Sequence, residues 1–390
     1  MITVDAARAL LFDLVSPLPV EHVPLIEAAG RVLGETVHAT RTQPPFDASS
    51  MDGYALKQIE ADQHAQFKVI GEAAAGHRFD GVVGPGQTVR IFTGAPIPDG
   101  ADFVVIQEDT NRSSDVITLT DAQGPKTNIR PKGGDFTQGT PITAPRRLGA
   151  QDIALLASMN IADVPVTRKP VVALISTGDE LVMPGEQPGP DQIIASNTFG
   201  LKAMLDALGA KTRLLPIARD TEQSLSMAFE LAKGADLVVT VGGASVGDHD
   251  LVGAVAQNLG MERAFYKIAM RPGKPLMAGR MGDMAMIGLP GNPVSAMVCG
   301  HLFVAPMVRA MLGLGTDIPA LQTATLGADL GANGPREHYM RAVIDAQTVR
   351  AFDNQDSALL SVLAQANALI VRPPRDPAQP AGAQVQFLPL

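Results

Sequence analysis

Four stretches of this chain carry residue types and spacings that suit chemistry on an oxyanion. Ser176-Thr177-Gly178-Asp179-Glu180 places two adjacent carboxylates beside a glycine. Such a pair fits a metal ion or an ammonium group; a solvated turn is the competing reading. Gly242-Gly243-Ala244-Ser245-Val246-Gly247-Asp248-His249-Asp250 is glycine-rich and acidic at once. Glycines let backbone N–H groups approach an oxyanion, which Asp248 and Asp250 would repel unless a divalent cation lay between. Mg2+ suits that place, because it takes one or two carboxylates and shares phosphate oxygens. The plainer alternative is that Asp248 or Asp250 caps the next helix. In Gly288-Leu289-Pro290-Gly291-Asn292-Pro293-Val294-Ser295, Asn292 is a good N-cap and Pro293 a good first helical residue. Free N–H groups there make an anion site, although helix initiation alone explains the motif. Between these loops, Lys267-Ile268-Ala269-Met270-Arg271-Pro272-Gly273-Lys274-Pro275 concentrates three cations on a backbone stiffened by proline. It reads as a focused positive site for a small polyanion, or else as an exposed basic turn.

Strands must deliver these loops. Pro170–Ile175 is a continuous apolar run, as a strand buried on both faces should be. Leu237–Val241 is a second such run, and Met277–Leu289 reads as two strands about Gly282-Asp283. Between them fall a helix over Asn197–Leu208, with Leu201, Met204, Leu205 and Leu208 on one face, and a strand at Arg213–Ile217. Asp220 and Gln223 suggest a capping box before a helix ending at Gly234, followed by a helix over Leu251–Leu259 and a strand over Ala264–Ile268. This alternation predicts a three-layer α/β domain over 169–314 with a mostly parallel sheet, whose ligands bind outside the carboxyl ends of the strands. Residues 45–138 show short apolar runs cut by Gly, Pro and Asp, the pattern of a β-rich inserted domain. Residues 1–44 and 139–168, with helices expected at Asp5–Val15, Leu25–Leu33 and Ala150–Ser158, form an elongated helical/β scaffold. Residues 315–390 form a C-terminal β domain. The fold class is thus multidomain, α/β plus β.

Composition sets limits. The 390 residues exceed one core, and a net charge of −9 argues against a general nucleic-acid binder. Tryptophan is absent and aromatics are 4%, which disfavours base-stacking platforms. Cys299 is the single cysteine, so no disulfide framework or CxxC metal motif exists. It sits in the apolar stretch from Val294 to Gly315, read as a buried helix rather than a membrane span because His301, Pro306 and Arg309 interrupt it. The opening Met1–Asp5 has no signal-peptide pattern, so a cytoplasmic enzyme is expected.

Two turns in the inserted domain, Ser50-Met51-Asp52-Gly53-Tyr54-Ala55 and Thr93-Gly94-Ala95-Pro96, have no role on chemistry alone. Taken in order with Ser176–Leu181, Gly242–Asp250, Arg271–Pro275 and Gly288–Ala296, they resemble the molybdopterin molybdenumtransferase family, which includes MoeA and the gephyrin E-domain. The resemblance spans nearly the whole chain. It implies four domains and an elongated homodimer whose partner subunit completes each site. The implied reaction inserts molybdenum from molybdate into adenylylated molybdopterin, with Mg2+ and release of AMP. Catalytic roles carry over to Asp52, Thr93, Asp135, Glu180, Asp220, Asp250 and Lys274. Substrate contacts fall on Thr177, Gly178, Ser196, Asn197, Gly242, Gly243, Ser245, Gly247, Lys267, Arg271, Pro290, Gly291, Asn292 and Ser295. The metal would be shared among Asp179, Glu180, Asp248 and Asp250. The chain departs from the family at Gly134, where a glutamate is usual, and at Ser50, where alanine is common. Two other functions compete. A molybdopterin adenylyltransferase resembles the 169–314 segment alone, and a peptide-binding scaffold of the gephyrin E-domain type needs no catalysis.

Overall fold

The computed structural model describes residues 1–243, 251–316 and 320–390. Its centre is a six-stranded sheet in the order Lys211–Leu214, Val171–Ser176, Leu237–Val241, Met284–Leu289, Met277–Met281, Met261–Tyr266. The first four strands run parallel, and the last two are antiparallel additions. Consecutive side chains of Val172–Ile175 enter opposite layers, as the two-residue period of a strand requires. Val172 and Leu174 join a core with Leu201, Leu205, Val294 and Phe303, while Ala173 and Ile175 join one with Leu225, Phe229, Val252 and Val255. That is the three-layer arrangement the sequence predicts. The ends of the strands also align, with Ser176 opposite Val241 and Val241 opposite Leu289. The three candidate loops therefore leave the sheet side by side.

The apolar stretch after Asn292 is a helix running from Pro293 to Met311 with a π-helical turn at Gly300–Val304. It is long and apolar enough to cross a membrane, but 78% of its most apolar window is buried inside the protein.

In the inserted module six strands form one sheet, Phe103–Ile106, Gly53–Leu56, Gln87–Ile91, Gln66–Ala73, Val116–Leu119, Thr110–Ser113. Alternate residues fill two cores, Tyr54 and Leu56 with Phe67 and Phe103, and Ala55 with Val89, Ile91 and Val104. The scaffold sheet pairs Val20–Pro24 with Asp163–Thr167, and Val32–Leu33 with both Asp163–Thr167 and Arg146–Arg147. The C-terminal strands Glu337–Asp345, Thr348–Ala351, Gln322–Leu326, Gln384–Pro389 and Ala368–Arg372 pair in a closed ring, which leaves no free edge among them.

Several local expectations are corrected. Leu25–Leu33 is no helix: a 3-10 turn spans only Leu25–Glu27 and is capped at Ala28, Gly30 then takes φ +75°, and Val32–Leu33 pairs in the sheet instead. Sheet pairing satisfies backbone groups that a one-turn helix would leave open. The first helix is shorter, Val4–Phe12, and its Val4, Ala7 and Leu11 join the α/β core rather than the scaffold core around Leu33, Leu156 and Val164. The strand expected at Ala264–Ile268 lies at Met261–Tyr266, and that at Arg213–Ile217 lies at Lys211–Leu214. The helix before Gly234 begins at Glu222, and Thr221 rather than Asp220 caps it by accepting the Ser224 N–H at 3.2 Å.

Candidate active site

The Ser176–Glu180 loop is held by its own backbone and by one arginine. Gly178 donates its N–H to the Ala218 carbonyl, and the Arg219 guanidinium donates to the carbonyls of Asp179 and Leu181, each at 3.0 Å. Asp179 accepts the Asp220 N–H at 3.1 Å, so three exposed acids, Asp179, Glu180 and Asp220, gather at one strand end. The Glu180 carboxylate folds over Gly178, where a Cβ would meet it at 2.3 Å. Opposite, Gly242 has φ +102° and approaches Thr177 so closely that a Cβ would lie 2.5 Å from the Thr177 carbonyl oxygen. No other residue fits there without moving the loop. Ser245, Gly247, Asp248 and Asp250 lie outside the described residues.

Beyond these strand ends is a hollow of about 290 Å3. Thr177, Ser196, Asn197, Gly242, Gly291 and Asn292, all expected as substrate contacts, line it. Asn197 donates its amide to the Gly291 carbonyl at 2.7 Å and ties the two walls together. Asn292 also borders a larger cleft of about 770 Å3 between the α/β domain and the C-terminal barrel. Into that cleft face Arg271, Lys274 and Ser295 from the α/β side, and Arg336 and His338 from the barrel.

Hydrogen bonding fixes the basic turn. Ile268 donates its N–H to the Lys274 carbonyl, and Ala269 donates to the Ile2 carbonyl. Met270–Arg271 then pairs in parallel with Glu337–His338 of the barrel. The turn packs through Gly273 against buried Cys299, whose sulfur would lie 2.5 Å from a Cβ at that position. Burial pushes the Cys299 thiol far up, so it stays neutral and serves packing. Lys267 departs from expectation. Its φ is +68°, its ammonium sits 4.8 Å from the centre of the Tyr266 ring, and it does not line the cleft. Pro290 is buried, and Gly178 and Gly243 lie outside the lining of both cavities.

The Asn292 expectation is also altered. Its side chain makes no cap bond; it donates to the Ser357 hydroxyl at 3.1 Å, and the Val294 N–H goes to the Ser357 carbonyl at 3.0 Å. The barrel thus takes up a donor that the sequence reading assigned to an anion.

Asp52 and Thr93 form a separate centre. The Asp52 carboxylate accepts both the backbone N–H and the hydroxyl of Thr93, each at 2.7 Å. Those bonds, the backbone one first, with Arg90 adding to them against a small opposing effect of burial, hold its carboxyl below the usual range. Gly53 must be glycine, since a Cβ would lie 1.8 Å from the Val105 carbonyl oxygen. Asp135 is exposed, and its N–H donates to the Gln43 carbonyl at 3.1 Å. Among the described residues no hydrogen bond or cavity joins Asp52, Thr93 or Asp135 to the α/β cleft of the same chain.

Sequence reasoning missed the barrel's contribution to the cleft, Arg336, His338 and the 353–357 segment. The available signal was the pair Arg336 and His338, two positions apart in the expected C-terminal β domain. As for metal, no group of three or more His, Cys, Asp or Glu residues among the described residues forms a ready ligand set. Asp179 and Glu180 remain two exposed oxygen donors on one fixed loop, which fits Mg2+, an ion that needs only one or two carboxylates and keeps several waters.

This multidomain architecture sets an α/β domain against a closed C-terminal barrel, across a cleft that holds Arg271, Lys274 and Arg336 together with Asp353 and Asp356. Three family models cover the chain: the MoeA N-terminal region (domain I and II) at residues 2–160, a probable molybdopterin binding domain at 173–310, and the MoeA C-terminal region (domain IV) at 323–390. A molybdopterin molybdenumtransferase of Haemophilus influenzae is 38% identical over 80% of this chain and 78% of its own length. One from Nostoc is 35% identical over 93% and 88%. The crystal structure of a molybdopterin biosynthesis MoeA protein from Pyrococcus horikoshii superposes with a TM-score of 0.86 at 29% identity, over 99% of this chain and 98% of that one. The chain belongs to the MoeA family. Matches on both sides of the α/β domain set aside the adenylyltransferase alternative, which resembled that domain alone.

Proposed function

We propose that this transferase of molybdenum cofactor biosynthesis inserts molybdenum from molybdate into adenylylated molybdopterin and releases AMP, with Mg2+ assisting. The observation that carries the reading is that two cavities share Asn292 as a wall: the strand-end hollow lined by Thr177 and Leu181, the residues on either side of the Gly178–Glu180 turn, and the cleft lined by Arg271, Lys274 and Arg336. Phosphate and molybdate are both oxyanions, and in a chain of net charge −9 the cleft sets Arg271, Lys274 and Arg336 against two aspartates, Asp353 and Asp356, which leaves cations in excess there. Arg271 and Arg336 present planar forks to oxyanion oxygens, while Lys274 acts as a point charge held by the turn. Asp179 and Glu180 are the described residues that would hold Mg2+, which when bound neutralises charge developing on a phosphoanhydride. Carrying Asp179 on an arginine-pinned loop keeps that donor in place without reorganisation at the moment of reaction.

A second copy of the chain supplies Asp52, Thr93 and Asp135 in this reading. Its support is that, among the described residues, no hydrogen bond joins these residues to the cleft of their own chain and none of them lines it. The dithiolene substrate and the lone, buried thiol suit a reducing cytoplasm.

The test is anaerobic incubation with adenylylated molybdopterin, molybdate and Mg2+, scoring AMP and active cofactor together. Lys274→Ala and Glu180→Gln should each lower cofactor formation by roughly a hundredfold, the scale of removing one preorganised charged group. AMP and cofactor formed at the parent rate by both variants would place the chemistry elsewhere.

A further inference from the structure

The barrel wall of the large cleft carries a histidine in an unusual setting. Strand register puts Arg271 directly opposite His338, and His338 directly opposite Arg372, so one face of three strands carries a row of basic side chains. His338 lines the cleft, is 7% exposed, and among the described residues its ring makes no hydrogen bond. Arg336, just before the strand begins at Glu337, lines the cleft with it and donates to the Met270 carbonyl at 3.3 Å. Behind stand Arg341, which donates to the Asn354 and Leu359 carbonyls, and Arg372, which is paired with Asp376. Lys274 faces it from the basic turn, and Asp353 and Asp356 from the segment across the cleft. Burial first, then Arg271, Arg372, Arg336 and Arg341, lower the imidazole from its ordinary range to about 4, so in the empty cleft it is neutral near pH 7.

We propose that His338 takes up one proton when a tetrahedral dianion enters this cleft, and so couples oxyanion affinity to pH. The proposal rests on the cleft being the oxyanion site. A dianion beside Arg271, Arg336 and Lys274 offsets the arginine repulsion that adds to burial in keeping the ring neutral, and contributes an attraction of its own that works against the cost of burial. The imidazolium then offers two N–H donors where the neutral ring offers one. By linkage, a ligand that raises a proton's affinity is itself bound more tightly when that proton is present. Between the free and the bound titration of His338, affinity therefore falls by up to tenfold for each unit rise in pH.

Calorimetric titration of the full chain with molybdate and with sulfate, from about pH 5 to about pH 7.5, reads this directly. Sulfate stays dianionic over that range, so any slope with it belongs to the protein. The expected result is weakening with rising pH for both anions. Heats in two buffers of different ionisation enthalpy should show uptake approaching one proton per anion at the acid end. His338→Gln, with His338→Asn as a second variant, should bind with one pH-independent affinity. Arg336→Ala should bind more weakly at every pH while keeping the slope. Tight binding with no slope in the parent chain, or a slope that survives both His338 substitutions, overturns the proposal and leaves the cleft reading standing. Absence of binding by either anion, or binding indifferent to Lys274→Ala and Arg336→Ala, overturns both.

Discussion

Asp52 illustrates how a single carboxylate is prepared by its neighbours. Thr93 gives it two donors, and Arg90 keeps the two turns together. The Arg90 guanidinium lies 5.2 Å from the Tyr54 ring centre and 4.6 Å from that of Phe92, and donates to the Gly53 carbonyl at 2.9 Å and to Gln107 at 2.6 Å. It therefore touches the residue after Asp52, stacks on the one before Thr93, and acts as a positioning residue. Arg90→Ala should lower kcat roughly tenfold or more with little change in KM for the pterin, since misplacement by an ångström has that scale of effect. Arg90→Lys should recover only part, because a lysine lacks the planar fork. Equal kcat in all three forms would remove the clamp from consideration. Cys299 is the opposite case, a reactive type in an inert place. Cys299→Ser should cost about 1–3 kcal/mol by burying a hydroxyl under the basic turn, read from a denaturant midpoint, while turnover persists. A folded but inactive variant would show that the thiol takes part in the reaction.

Elements act here through their ends. The shared register of Val171–Ser176, Leu237–Val241 and Met284–Leu289 gathers the candidate loops, and Gly242 lets two of them touch. Gly242→Ala is expected to destabilise the protein by about 1–3 kcal/mol, combining a strained positive φ with the clash against the Thr177 carbonyl. Thermal unfolding checks the stability, and anion binding should weaken in parallel. Thr221→Ala should lose about 0.5–2 kcal/mol through the lost cap while Asp220, whose backbone N–H binds Asp179, remains in place. An unchanged melting temperature would mean that the cap bond does not contribute.

At the scale of the molecule, the barrel closes on itself, pairs Met270–Arg271 with Glu337–His338 where one of its strands extends past its neighbour, and thereby fixes the α/β domain's cations against its own Arg336 and His338. Asp52 and Thr93, in the inserted module, bond to each other and do not line that cleft. If a second copy unites them, an Asp52→Asn chain mixed equally with a Lys274→Ala chain, refolded together, should regain up to about a quarter of parent activity, because mixed dimers hold one intact site. Inactive mixtures that contain mixed dimers by mass would show that each chain works alone.

Periodicity and turn chemistry made much of this legible in the sequence. Asn197–Leu208, Ala150–Ser158 and Leu237–Val241 have the bounds expected from apolar spacing and caps, and the strand-end loops follow from uninterrupted apolar strands. These are short-range facts, set by residues within a few positions of one another. Leu25–Leu33 was lost to a sheet whose partners lie over a hundred residues away, the Asn292 side chain to Ser357, and the cap of the Glu222 helix to Thr221 over Asp220. Tertiary structure alone decided that the cleft has a second wall. Arg336 and His338 meet Arg271 only because two domains share a strand pairing, and such pairing depends on register and burial that no local pattern encodes.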